Sequence, residues 1–182
     1  AACQSRCRYC YWHDAANLPF KPGIMKTELA LKIINECAEY GVNSFKTNYR
    51  GESTLHPKFE FLTEYCKKHA SGMTLIDRIT NSNFQFRNND ESIFRGLCNQ
   101  TKVKVSFDSF NKDVYEHQRF GSKFDLALAN VHKFYNYKNR NNQIVIQAVR
   151  TNLNKDEDLQ HEITKRWPAA LVSIRDVVDG RL

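Results

Sequence analysis

The pattern that most restricts this chain is its regular alternation of strand and helix over 182 residues. Apolar period and turn punctuation give helices over 28–40, from Pro57 to about 71, over 90–98, 123–137 and 156–167. Between them lie short β-rich runs at 44–49, 74–80, 102–107, 143–149 and 171–178. The first helix offers Ala30, Ile33, Ile34, Cys37 and Ala38 as its apolar face, and the second offers Phe61, Leu62, Tyr65 and Cys66. The helix at 123–137 offers Ala127, Leu128, Val131, Phe134 and Tyr135. Such alternation argues for one domain of parallel strands joined by right-handed crossovers. Pattern alone does not separate an open doubly wound sheet from a barrel. In both, ligands gather beyond the carboxyl ends of the strands.

Ahead of the first helix stand Cys3, Cys7 and Cys10, spaced C-x3-C-x2-C with Tyr9 before the last cysteine. Three thiolates this close can hold three irons of a cubane iron–sulfur cluster and leave the fourth iron open. A zinc site with His13 as fourth ligand is an alternative, although structural zinc more often takes two separated pairs. An iron–sulfur electron carrier with a fourth protein ligand is another. Cys37, Cys66 and Cys98 are scattered on apolar helix positions and read as core thiols rather than a disulfide framework.

The stretch Cys3-Gln-Ser-Arg-Cys7-Arg-Tyr-Cys10 resembles the cluster loop of radical S-adenosylmethionine (radical SAM) enzymes, including the aromatic at Tyr9. The resemblance implies a 4Fe-4S cluster on Cys3, Cys7 and Cys10, with SAM on its open iron. It implies an α/β fold, the family's partial (β/α)6 TIM-like barrel. On that reading the first strand precedes Cys3, the runs above are the second to sixth strands, and residues 1–182 are a core domain trimmed at both ends.

Each strand end then offers something to SAM. Gly51-Glu52 resembles the family's Gly-Gly-Glu-Pro turn, with Arg50 for the first Gly and Ser53 for the Pro. Glycine lets backbone carbonyls come close, and a carboxylate balances the methionine ammonium. Asn81 follows the next strand. Ser106-Phe-Asp108 resembles a Ser-x-Asp that reaches the SAM ribose or carboxylate. Arg119, in Arg119-Phe-Gly121, resembles an Arg-x-Gly of members with an added SPASM domain, where it pairs with the SAM carboxylate; guanidinium suits that bidentate task. Val149 and Asn152 are expected near adenine, as is the backbone of Tyr9. Arg175 and Asp176 are expected either to face the substrate cavity or to form a structural ion pair. No catalytic acid or base is singled out.

The implied partners are a flavodoxin- or ferredoxin-type electron donor and a substrate of unidentified class: peptide, sugar or small molecule. Net charge is +7, but lysines and arginines are spread along the chain, so a solvated basic surface is expected rather than a nucleic-acid footprint. A zinc-stabilised nucleic-acid module remains the third alternative. No apolar run approaches the roughly 18 residues of a membrane span. No targeting segment is visible, and a cytoplasmic setting is expected.

Overall fold

The computed structural model describes residues 2–10, 23–48, 51–70, 75–85, 91–138 and 140–177. Five strands form one parallel sheet: β1 Ser44–Lys46, β2 Leu75–Thr80, β3 Lys102–Ser106, β4 Gln143–Arg150 and β5 Leu171–Asp176. Their order in space is their order in sequence. A doubly wound sheet reverses its strand order at a switch point. This one does not, so successive right-handed crossovers carry every helix to the same face, as in a (β/α) barrel.

The helices are α1 Thr27–Glu39, α2 Phe59–His69, α3 Ser92–Cys98, α4 Lys112–Gln118, α5 Phe124–Tyr135 and α6 Leu159–Arg166. The expected α2 begins at Pro57, whereas a 3-10 turn at Ser53–Leu55 precedes it and the helix proper starts at Phe59. Its phase also differs from expectation. Phe59, Thr63, Cys66 and Ala70 are buried, at helical spacing, and this turns Phe61 outward to solvent. Helix α4 was not expected. It is short and weakly amphipathic, and its start is fixed by Asn111, whose Oδ1 accepts from Asp113 N (3.0 Å) and Val114 N (3.3 Å).

The principal core lies between β3, β4 and helices α3 to α6. Val103, Val105, Phe107, Ile144 and Ile146 meet Phe94, Tyr115, Phe134 and Trp167 there. Side chains alternate along a strand. Residues 104 and 106 of β3, 145, 147 and 149 of β4, and 173 and 175 of β5 therefore share the opposite, interior face. Arg175 is in register with Val149 on that face. Asp176 falls on the helix side, so the two residues do not both face the interior as expected. Of the scattered cysteines, Cys66 is buried in a small second core with Ile34 and Ala70, and burial pushes its thiol up to about 11. Cys37 and Cys98 are half-buried.

Candidate active site

All strands being parallel, their carboxyl ends lie on one side, and the cluster loop is built against that side. Four backbone hydrogen bonds shape it, three of them to two other segments. Glu52 N donates to Ala2 O (2.8 Å), next to Cys3. Arg6 N donates to Phe120 O (2.6 Å) and Arg8 N to Gln118 O (2.9 Å), so the loop pairs with the turn after α4 as one strand pairs with another. Cys10 N closes the loop onto Cys7 O (3.0 Å). Side chains add to this: Ser5 Oγ meets Ser122 Oγ at 2.6 Å, and Gln4 Nε2 donates to Asn81 Oδ1 and Asn83 O, both at 3.0 Å.

The turn after α4 explains the glycine of Arg119-Phe-Gly121. Gly121 has φ +84, and a Cβ there would stand 3.0 Å from Gln4 O. Only glycine allows both the left-handed backbone and that approach. Gly51 has φ +75 for the same conformational reason.

Asn81 is the hub of one half of the site. Its backbone N donates to Glu52 Oε2 (2.8 Å), and its Nδ2 donates to Ser5 Oγ (3.1 Å) and reaches Cys3 Sγ (3.7 Å). Glu52 Oε1 accepts from Thr54 Oγ1 (2.7 Å) and Thr54 N (3.3 Å), which caps the 3-10 turn and holds the carboxylate still. Glu52 is only 4% exposed.

The other half is an ionic cluster. Arg119 Nε lies 2.6 Å from Asp108 Oδ2, with both side chains essentially buried. The Nε–H is not aligned on that oxygen, so Nε has an ionic neighbour but no hydrogen-bond acceptor. Arg119 Nη1 reaches Cys7 Sγ at 3.8 Å. Tyr9 donates its hydroxyl to Asp108 Oδ2, and the guanidinium carbon sits 5.8 Å from the centre of the Tyr9 ring. Asp108 Oδ1 accepts from Val149 N (2.9 Å). Asn154 ties β3 to β4 by donating to Asp108 O (2.6 Å) and Val149 O (2.9 Å).

Electrostatics follows from this packing. Burial pushes the Cys3 thiol up to about 11, against a lowering contact from the Ser5 backbone, and Glu52, Cys7 and Cys10 add to the rise. Burial also raises Cys7, while Arg119 beside it pulls the other way. The Tyr9 phenol is raised well above its ordinary value, first by burial. Burial alone would lower Arg119, but Asp108, Tyr9 and Cys7 outweigh it and hold the guanidinium charged.

The donor set fits a cubane. Cys7 and Cys10 lie close enough to Cys3 to raise its pKa, and N–H groups from Asn81 and Arg119 reach the Cys3 and Cys7 sulfurs. Among the described residues no three His, Cys, Asp or Glu side chains converge as ligands of a single ion. A cubane takes one thiolate at each of three corners and needs no such convergence. His13 of the zinc alternative lies outside the described residues, as do Tyr49 and Arg50.

The expected SAM contacts fall into two groups. Glu52 and Asn81 are hydrogen-bonded at the β2 end, beside Gly51; Ser106 closes the neighbouring β3, and Val149 N meets Asp108 Oδ1. Asp108 and Arg119 face each other beside Tyr9 and Cys7. Asn152 is exposed on the turn after β4. Asn154, Asn83, Tyr115 and Ser122 were not foreseen. Their only sequence cue is their place within a few residues of a strand end or of the Arg-x-Gly turn. Asn83, for example, accepts from Lys123 N (2.5 Å) and so ties the β2 end to α5.

The radical SAM superfamily model matches residues 1–161. The chain belongs to the radical SAM superfamily. That family works with a 4Fe-4S cluster and SAM. Three solved structures have the same fold at low identity. Streptococcus suis SuiB bound to precursor peptide SuiA matches with TM-score 0.72 and 14% identity over 97% of this chain and 37% of that one. SuiB alone gives 0.73 and 16% over 98% and 38%. TYW1 with a lysine-pyruvate adduct gives 0.64 and 16% over 100% and 63%. The chain thus spans well under half of SuiB. No curated protein matches the chain. Among the described residues no helix is long and apolar enough to cross a membrane.

Proposed function

We propose that this domain reductively cleaves SAM at a 4Fe-4S cluster on Cys3, Cys7 and Cys10. When bound, the two cofactors supply a 5′-deoxyadenosyl radical that takes hydrogen from a substrate. One observation carries the reading: Asn81 touches the Cys3 sulfur with its side chain and the Glu52 carboxylate with its backbone. Cluster ligand and candidate ammonium acceptor are therefore one residue apart, at the carboxyl ends of a parallel sheet.

In this reading the Glu52 carboxylate balances the methionine ammonium, and Gly51 leaves room for backbone carbonyls to approach. Ser106 offers its hydroxyl to the ribose. Val149 and the Tyr9 backbone flank the adenine. The burial around Cys3 and Cys7 keeps water from the reacting centre. Interior residues Gln147, Ser173 and Arg175 give the substrate side a polar wall. The donor is a flavodoxin- or ferredoxin-type protein in the cytoplasm. A peptide is the favoured substrate class: the features from Ser106 to Phe134 resemble the SPASM-containing group, and SuiB, of the same fold, was solved with a precursor peptide.

The test is anaerobic reconstitution followed by assay of 5′-deoxyadenosine under reductant. Release by the wild type, with SAM binding about tenfold weaker in Glu52→Gln (about 1.4 kcal/mol), supports the reading. A reconstituted protein that binds SAM equally well with and without Glu52 contradicts the role given to that carboxylate.

A further inference from the structure

Arg119 is expected from resemblance to hold the SAM carboxylate, yet its surroundings point elsewhere. It is 4% exposed, and its guanidinium is enclosed by Asp108, Tyr9 and the Cys7 sulfur. Its own backbone lies between two carbonyls, of Gln118 and Phe120, that accept from the cluster loop on either side of Cys7. The side chain is thus fixed against Cys7 by the pairing of the two segments. Asp108 is fixed in turn by Val149 N, by the Tyr9 hydroxyl and by Asn154 on its carbonyl.

We propose that Arg119 is an outer partner of the cluster, which holds the Cys7 thiolate by an N–H···S contact and sets the cluster's reduction potential, with Asp108 as its counter-charge. Donors to ligand sulfur and nearby charge are among the factors that set such potentials. A one-electron reduction adds negative charge to the cluster. A buried cation at 3.8 Å from a ligand sulfur favours the reduced form, because low dielectric strengthens the attraction. Asp108 opposes part of this field and keeps the guanidinium from swinging away. Arginine suits the place better than lysine, since its planar fork serves a sulfur and a carboxylate together and it stays charged when buried.

The two members of the pair therefore have opposite effects, which a merely structural role does not produce. The experiment is a redox titration of the reconstituted protein without SAM, read by the electron paramagnetic resonance (EPR) signal of the reduced cluster. Arg119→Gln is expected to make one-electron reduction about tenfold less favourable, a shift of about 59 mV to lower potential. Arg119→Lys is expected to fall between Arg119→Gln and wild type. Asp108→Asn, which keeps the shape of the side chain, is expected to move the potential upward. It supplies the answer if Arg119→Gln does not retain a cluster. SAM affinity, measured on the oxidised protein, is expected to change less than threefold in Arg119→Lys.

Unchanged potentials in both Arg119→Gln and Asp108→Asn overturn the proposal, as do shifts of the same sign. An unchanged potential with tenfold weaker SAM binding in Arg119→Lys assigns the residue to the SAM carboxylate instead. The inference rests on the cluster reading proposed above. Failure of the wild type to form a four-iron cluster defeats that reading, whereas a formed cluster indifferent to Arg119 and Asp108 defeats this inference alone.

Discussion

The two flanks of the sheet are built differently. On the β3–β4 flank the strands are longer than β1, the principal core lies behind them, and Asp108, Arg119, Tyr9 and Asn154 knit the strand ends to the cluster loop. On the β1 flank the strand has three residues, and the core behind it is Ile34, Cys66 and Ala70. Beside it opens an apolar cavity of about 640 Å³, lined by Ile33, Ile34, Phe45, Phe59, Leu62 and Cys66 among others. The difference teaches that the cluster loop takes its shape from the tight flank. The Glu52 turn on the loose flank meets the loop at Ala2 O and reaches the Cys3 sulfur through Asn81.

That contrast predicts a gradient of mutational cost. Asp108→Ala leaves a buried guanidinium unpaired and is expected to cost about 3–5 kcal/mol, read as a lowered denaturation midpoint. A cost below about 1 kcal/mol would mean the flank relaxes far more than its packing suggests. Gly96→Ala, in α3, is expected to cost about 1–3 kcal/mol by overpacking, because its Cβ would stand 2.6 Å from the Phe59 ring. This is less than for Asp108→Ala, since the ring borders the cavity and can yield. Ala30→Leu, pointing an alkyl chain at the cavity from α1, is expected to be neutral or to stabilise by about 1 kcal/mol. A loss there would show that the cavity walls close in solution and that the two flanks are alike.

Much of the architecture was legible because periodicity survives in a parallel α/β chain. Strands at 102–107 and 143–149 and the helix at 123–137 came out within about two residues of β3, β4 and α5. Helix α4 was not legible. Its seven residues bury only Tyr115 and Gln118, too few for a period, and the Asn111 cap was its sole mark. The inward face of α2 was misjudged at Phe61 because apolar residues occur on both sides of that helix. Between an open sheet and a barrel, strand order decides, and order is a tertiary fact.

Of the candidate site, the residue types at the strand ends were legible; the structure brings Glu52 and Asn81 to Cys3, and Asp108 and Arg119 to Cys7. What these residues touch was not. Whether Arg119 meets Asp108 or a ligand depends on the pairing of the loop 5–8 with the turn 118–122, more than a hundred residues apart in sequence. Asn154 bridges β3 and β4 for the same reason and carries no motif.

The most direct measurement is the EPR spectrum of the anaerobically reconstituted, reduced protein before and after SAM is added. A four-iron signal is expected whose line shape changes with SAM and which is absent when Cys3, Cys7 and Cys10 are replaced by alanine. A four-iron signal indifferent to SAM, or a colourless protein with a single bound zinc, would contradict it.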